Sequence, residues 1–63
     1  MKNRIKEKRK ALKLTQQELA DQTGVTRQTI LAVEHNKYVP SLQLAFNIAK
    51  ALKTDLQDVF IDE

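Results

Sequence analysis

Arg27 and Gln28 stand side by side, and each carries a side chain able to read a base pair by its edge. An arginine fork can donate to O6 and N7 of guanine together, and a glutamine amide can bond N6 and N7 of adenine. Such readers work only when a rigid element carries them to the bases, so their surroundings decide the matter. Thr26, just before them, is a candidate helix N-cap, with Val25 and Ile30 at the staple positions around it. The helix it starts runs to about His35. One side presents Arg27, Gln28, Leu31 and Ala32, while Ile30 and Val33 turn inward.

The same start signal occurs upstream. Thr15 and Glu18 have capping-box spacing, and Leu14 and Leu19 can staple the same end, which predicts a helix over about Gln16 to Thr23. Gly24, the only glycine, lies between the two helices, where a C′ residue needs positive φ. Two capped helices joined by a short glycine turn form a helix-turn-helix, here about residues 15–37. A generic pair of packed helices is the alternative. Doubled capping, a single turn glycine and a polar second start favour the motif.

The 63 residues predict one domain, 1–63, near the lower size limit for an unaided core. With no cysteine, disulfides and thiolate zinc sites are excluded, which fits a reducing cytoplasm. No apolar run approaches ~18 residues, and the basic N-terminus lacks the apolar region of a signal peptide. Net charge is +3, unevenly spread. Lys2, Arg4, Lys6, Lys8, Arg9, Lys10 and Lys13 crowd one end, and Asp55, Asp58, Asp62 and Glu63 the other. Such polarity suits a chain that faces phosphates at one end only.

Asn3 is placed to cap a first helix reaching about Lys13, with a thin apolar face of Ile5, Leu12 and Ala11. Arg9 lies on the inward side, so it needs a carboxylate; Glu34 is the candidate, and two solvated side chains are the alternative. Asn36 can adopt the left-handed conformation after the third helix. Ser41 caps a fourth helix from Leu42 to about Lys53, with Leu42, Ala45, Ile48, Ala49 and Leu52 as its inward stripe. Thr54 and Gln57 predict a last capping box for a helix over 55–60, and Ile61 is placed to extend a short terminal strand. The expected fold is all-α, a compact arrangement of five helices.

Arg9, then Leu14-Thr15-Gln16-Gln17-Glu18-Leu19-Ala20, Gly24-Val25-Thr26-Arg27-Gln28-Thr29-Ile30, Glu34 and Pro40-Ser41-Leu42 together resemble the Cro and phage-repressor helix-turn-helix class, the XRE family. The resemblance covers nearly the whole chain and implies a lambda-repressor-like DNA-binding domain. By position it implies that Gln16 meets phosphate, that Arg27 and Gln28 read bases, and that Thr26 touches backbone or a thymine methyl. It implies too that Asn36 and Lys37 grip the next phosphates and that Arg9 and Glu34 form an internal ion pair. Gln17, Thr29, Leu31, Ala32 and Tyr38 complete the expected DNA-facing set. Three positions depart from the family pattern. Leu31 stands where a small or polar residue is usual, Asn36 where glycine is usual, and Lys8 where an apolar residue is usual.

The leading reading is a sequence-specific regulator of double-stranded DNA, most simply a repressor. It would act as a homodimer on a palindromic operator whose half-sites lie one turn, about 34 Å, apart. The alternative is an antitoxin or protein-interaction module on the same scaffold. Catalysis has nothing to stand on: His35 is the only histidine, and no triad, metal cluster or phosphate loop is present, so no cofactor is expected. Any signal would have to arrive through a partner or through protein abundance. A dimer contact is expected at the chain's end, centred on Phe60 and Ile61 with Leu44 and Leu56, with Phe46 as a further candidate and Lys50 and Lys53 facing Asp58 or Asp62 at the rim.

Overall fold

The computed structural model describes residues 2–61 and orders them as β1 (Lys2–Asn3), α1 (Ile5–Ala11), α2 (Gln16–Thr23), α3 (Arg27–Glu34), α4 (Leu42–Ala51), α5 (Leu56–Val59) and β2 (Phe60–Ile61). Asp62 and Glu63, expected at the acidic end, lie outside the described residues.

The helix starts follow their local chemistry. Thr15 accepts from the Glu18 amide at 3.0 Å, and the Glu18 carboxylate accepts from the Thr15 amide at 2.9 Å, closing the capping box. Thr26 accepts from the Thr29 amide at 3.2 Å, and Ser41 from the Leu44 amide at 3.1 Å.

The helix ends share one device. The backbone bonds Leu14 to Arg9, Val25 to Ala20, Lys37 to Ala32 and Thr54 to Ala49 each reach back five residues. The residue before each donor is left-handed: Lys13, Gly24, Asn36 and Lys53, with φ of 58°, 73°, 60° and 58°. Only one of the four is glycine. A Cβ on Gly24 would meet nothing within 4 Å, so a substitution there costs backbone strain alone. Gly24→Val should therefore lower stability by at least ~1 kcal/mol, read by urea unfolding; an unchanged midpoint would mean the turn relaxes away from positive φ.

Ile5, Leu19, Ala20, Ile30, Val33, Leu44, Ile48, Ala49, Leu52 and Val59 form the buried core. α2 packs on both α3 and α4, so the core holds α3 from behind and leaves its other face outward. β1 and β2 pair antiparallel, Lys2 with Ile61 and Asn3 with Phe60, tying the two ends of the chain together.

Four expectations are corrected. α1 ends at Ala11, with Ala11 and Leu12 exposed, because Lys13 turns left-handed and closes the helix early. Asn3 is not the N-cap of α1; Arg4 holds that position, and the Asn3 side chain accepts from the Ile5 amide at 3.2 Å. On α4 the inward stripe begins at Leu44, 8% exposed, while Leu42 is 67% exposed. Leu44 lies one residue before Ala45 and four before Ile48, on the same face, whereas Leu42 begins the first turn and projects beyond the core. Finally, the Thr54–Gln57 box does not form. The Thr54 amide is already used in closing α4, and its hydroxyl donates to Asp58 at 3.2 Å; Asp55 becomes the N-cap without a side-chain bond.

Candidate nucleic-acid interface

The interface rests on a buried charge. Glu34, its side chain 3% exposed, accepts from Arg9 Nε at 3.0 Å, and Arg9 is itself 10% exposed at the side chain. Arg9 Nη1 also donates to the Leu14 carbonyl at 2.9 Å, in the turn that leads into α2. The second Glu34 oxygen accepts from Gln16 Nε2 at 3.3 Å. Gln16 Oε1 in turn accepts from Arg27 Nε at 3.3 Å. Among the described residues, no buried side-chain nitrogen or oxygen lacks a partner, so the pair avoids the penalty of a stranded charge.

Sequence reasoning joined Arg9 to Glu34 but missed this continuation. Gln16, expected to meet phosphate, is half-buried and bridges the ion pair to Arg27. The chain of bonds begins in the core and ends at the first residue of α3. It fixes Arg27 through Nε, leaving the two Nη nitrogens as the fork that guanine O6 and N7 require. Nothing local in the sequence marks Gln16 as this bridge, because its partners lie 18 and 11 residues away.

On the other side of α3, Thr26, Gln28, Thr29, Ala32 and Tyr38 line a shallow open hollow of about 300 Å³. Its floor is small, an alanine and a threonine, and its walls are a flexible amide and a half-exposed phenol ring. The Thr26 and Thr29 hydroxyls lie 3.1 Å apart, which draws Thr29 toward the helix start. Leu31 is 39% exposed on the outer face of α3 and lies outside the hollow. Gln17 is exposed at the start of α2, with its amide bonded to Asp21 at 2.8 Å.

Asn36, Lys37 and Tyr38 follow the far end of α3, all exposed. Asn36 is fixed by its left-handed backbone and by Asn3, whose Nδ2 donates to the Val33 carbonyl at 2.9 Å and to Asn36 Oδ1 at 3.1 Å. The sequence offered no sign of this contact, which spans the chain from its first strand to the end of the third helix.

The structure thus brings together two features on one outward helix: an arginine tied to the core, and a hollow beside it. The N-termini of α2 and α3 add free amides and partial positive charge of the kind that attracts phosphate. Among the described residues there is no cluster of acidic, histidine or cysteine side chains suited to a metal. No described helix is long and apolar enough to cross a membrane.

Comparison with known proteins gives this geometry its family. A helix-turn-helix family model matches residues 5–59. This chain belongs to that family. Helix-turn-helix members of this XRE class are DNA-binding transcriptional regulators rather than enzymes. An uncharacterized HTH-type transcriptional regulator of Methanocaldococcus jannaschii is 52% identical over 63 residues, spanning 100% of this chain and 96% of its own. A relative from Methanothermobacter thermautotrophicus is 55% identical over 62 residues, covering 97% and 90%. One from Bacillus subtilis is 48% identical over 60 residues, covering 95% and 91%.

Solved structures agree. The restriction-modification controller protein C.AhdI from Aeromonas hydrophila superposes with a TM-score of 0.85 at 32% identity, covering 90% of this chain and 86% of that one. The P22 c2 repressor, solved with a synthetic operator, gives 0.82 at 30% identity, covering 86% and 82%. The fold of this helix-turn-helix protein is therefore lambda-repressor-like, as the arrangement of its five helices indicates.

Proposed function

We propose that residues 1–63 act as one sequence-specific DNA-binding domain in the cytoplasm, repressing transcription as a homodimer on a palindromic operator. The observation that carries this reading is the outward face of α3. Arg27 and Gln28 are exposed there, and Arg27 is oriented by a hydrogen-bonded chain from the buried Arg9–Glu34 pair. A likeness to a repressor solved on its operator supports the same docking for this helix. Thr26, Thr29, Ala32 and Tyr38 would receive a thymine methyl or sugar edge in their hollow, with Leu31 on the groove wall. Gln17, Asn36 and Lys37 would hold the flanking phosphates, and Gln16 would donate the second hydrogen of its Nε2 to phosphate while keeping its bond to Glu34.

The dimer reading rests on apolar surface. Pro40, Leu42, Ala45, Leu56 and Phe60 surround an open apolar hollow of about 310 Å³, and Phe46 is 51% exposed nearby on α4. Leu44 is committed to the monomer's own core, so Leu42 replaces it in the proposed contact with Leu56, Phe60 and Ile61. A second copy covering this end would remove these side chains from water and leave both α3 helices free. Sedimentation at micromolar concentration should show a wild-type dimer. Leu42→Ser and Phe60→Ala/Ile61→Ser should each shift it toward folded monomer. A monomeric wild type would move the interface elsewhere or remove it.

The same apolar end also fits a protein-interaction module, as in an antitoxin. Binding to duplex DNA separates the two readings. A regulator should prefer one duplex over random DNA by at least about a thousandfold, and an adaptor should show no preference.

A further inference from the structure

We propose that Asn3 is the positioning residue that sets the Asn36–Tyr38 loop against DNA phosphate, an inference that rests on the DNA-binding reading above. The side chain of Asn3 is fully engaged. Its oxygen accepts from the Ile5 amide at 3.2 Å, and its nitrogen donates to the Val33 carbonyl at 2.9 Å and to Asn36 Oδ1 at 3.1 Å. Its own backbone is pinned by the β1–β2 ribbon, opposite Phe60, and by the adjoining Arg4 amide, which donates to the Val59 carbonyl at 2.7 Å.

The loop it reaches is otherwise weakly determined. Asn36 sits at φ 60°, which asparagine tolerates better than most residues with a side chain, and Lys37, Tyr38 and Val39 are all exposed. Local bonds close the end of α3, from the Asn36 amide to Val33 and from the Lys37 amide to Ala32. Asn3 supplies the contact that ties this turn to another element. It bonds the carbonyl that the Asn36 amide also uses, and the Asn36 side chain itself. Asn3, Asn36, Tyr38, Val39, Pro40 and Phe60 converge around only about 10 Å³ of open space. A turn held by Asn3 as well as by its own backbone presents Lys37 in one place; a turn held only by its own backbone samples several, and each phosphate contact then costs ordering.

The consequence is a link between two surfaces. The ribbon that carries Asn3 also carries Phe60 and Ile61, at the proposed dimer contact, so the DNA-gripping loop and the dimer end are braced by one two-stranded element.

Asn3→Ser tests the role. A serine hydroxyl can still accept from the Ile5 amide but is too short to reach Val33 or Asn36, and it brings no charge to the interface. Affinity for random-sequence duplex should fall about three- to tenfold, with a salt slope shallower by about one. Hydrogen exchange should quicken at Asn36 and Lys37 while the amides of Leu19 and Ile48 keep their protection. In the Lys37→Ala background the same substitution should have little further effect, because the contact it positions is gone. Should Asn3→Ser fail to fold, Asn36→Gly carries the test. Glycine keeps the left-handed turn and removes the side-chain partner of Asn3 together with any phosphate contact of Asn36 itself, so the expected affinity loss of about threefold counts for Asn3 only when hydrogen exchange at Lys37 quickens with it. If Lys37→Ala itself leaves affinity unchanged, the phosphate-gripping loop is wrong and the inference falls with it. If Lys37→Ala weakens binding but folded Asn3→Ser (or Asn36→Gly) binds like wild type, the loop stands and the role of Asn3 is overturned.

Discussion

Glu34→Ala should destabilise the fold by ~3 kcal/mol, the largest effect expected of any single polar residue here. The carboxylate lies 3.0 Å from Arg9 Nε with 3% of its side chain exposed, so its removal strands a guanidinium in a nearly dry site. The Leu14 carbonyl remains for one Arg9 nitrogen, which moderates the loss but neutralises no charge. Replacing both partners should cost far less than replacing Glu34 alone, because a buried pair is expensive to break and cheap to exchange for apolar groups. Urea unfolding of Glu34→Ala, Arg9→Met and the double variant measures this directly. Strong coupling is expected, and additive single effects would mean that the two side chains are held independently. The variant should also bind DNA less well in its folded fraction. Gln16 loses its anchor on Glu34, and Arg27 then loses the fixed partner of its Nε.

Arg27→Ala should cost about 1–3 kcal/mol on the preferred duplex, and Gln28→Ala a similar amount, with unfolding midpoints nearly unchanged. Both side chains are exposed and contribute nothing to the core, so a loss of affinity cannot be traced to a loss of fold. Each substitution should relax preference at one base position and leave the others intact. Random-sequence affinity should fall much less than operator affinity, because base contacts specify while phosphate contacts position. Competition binding with single-base operator variants reads both quantities. Equal losses on operator and random DNA would reduce Arg27 to a phosphate contact.

How much of this was legible in the residues depends on the range of each signal. Thr15 with Glu18, Thr26 and Ser41 act within one helical turn, so their caps are found by reading along the chain. The outward placement of Arg27 and Gln28 follows from the inward placement of Ile30 and Val33 on the same helix. Arg9 and Glu34 could be paired across the fold because a buried charge demands a partner, whatever the distance in sequence.

Other features have no local signature. Lys13 and Lys53 terminate helices in the left-handed conformation against their own preference, drawn there by the closing bonds from the Leu14 amide to Arg9 and from the Thr54 amide to Ala49. Leu42 fits the periodicity of α4 but begins its first turn, beyond the core, and Leu44 fills the buried place instead. β1 had no sign in the sequence, and β2, expected only as a short extension through Ile61, is like β1 two residues long, too short for any alternation to show. Asn3 and Gln16 are ordinary amides in the sequence, and only the folded chain brings one to Asn36 and the other between Glu34 and Arg27.

Selection of bound sites from random duplex DNA, run in parallel with wild type and Arg27→Ala, tests the central claim most directly. Wild type should enrich an inverted repeat with half-site centres about one helical turn apart, and Arg27→Ala should lose preference at one guanine in each half-site. Failure of the wild-type protein to enrich any sequence, or an identical motif from both proteins, would contradict base reading by the start of α3.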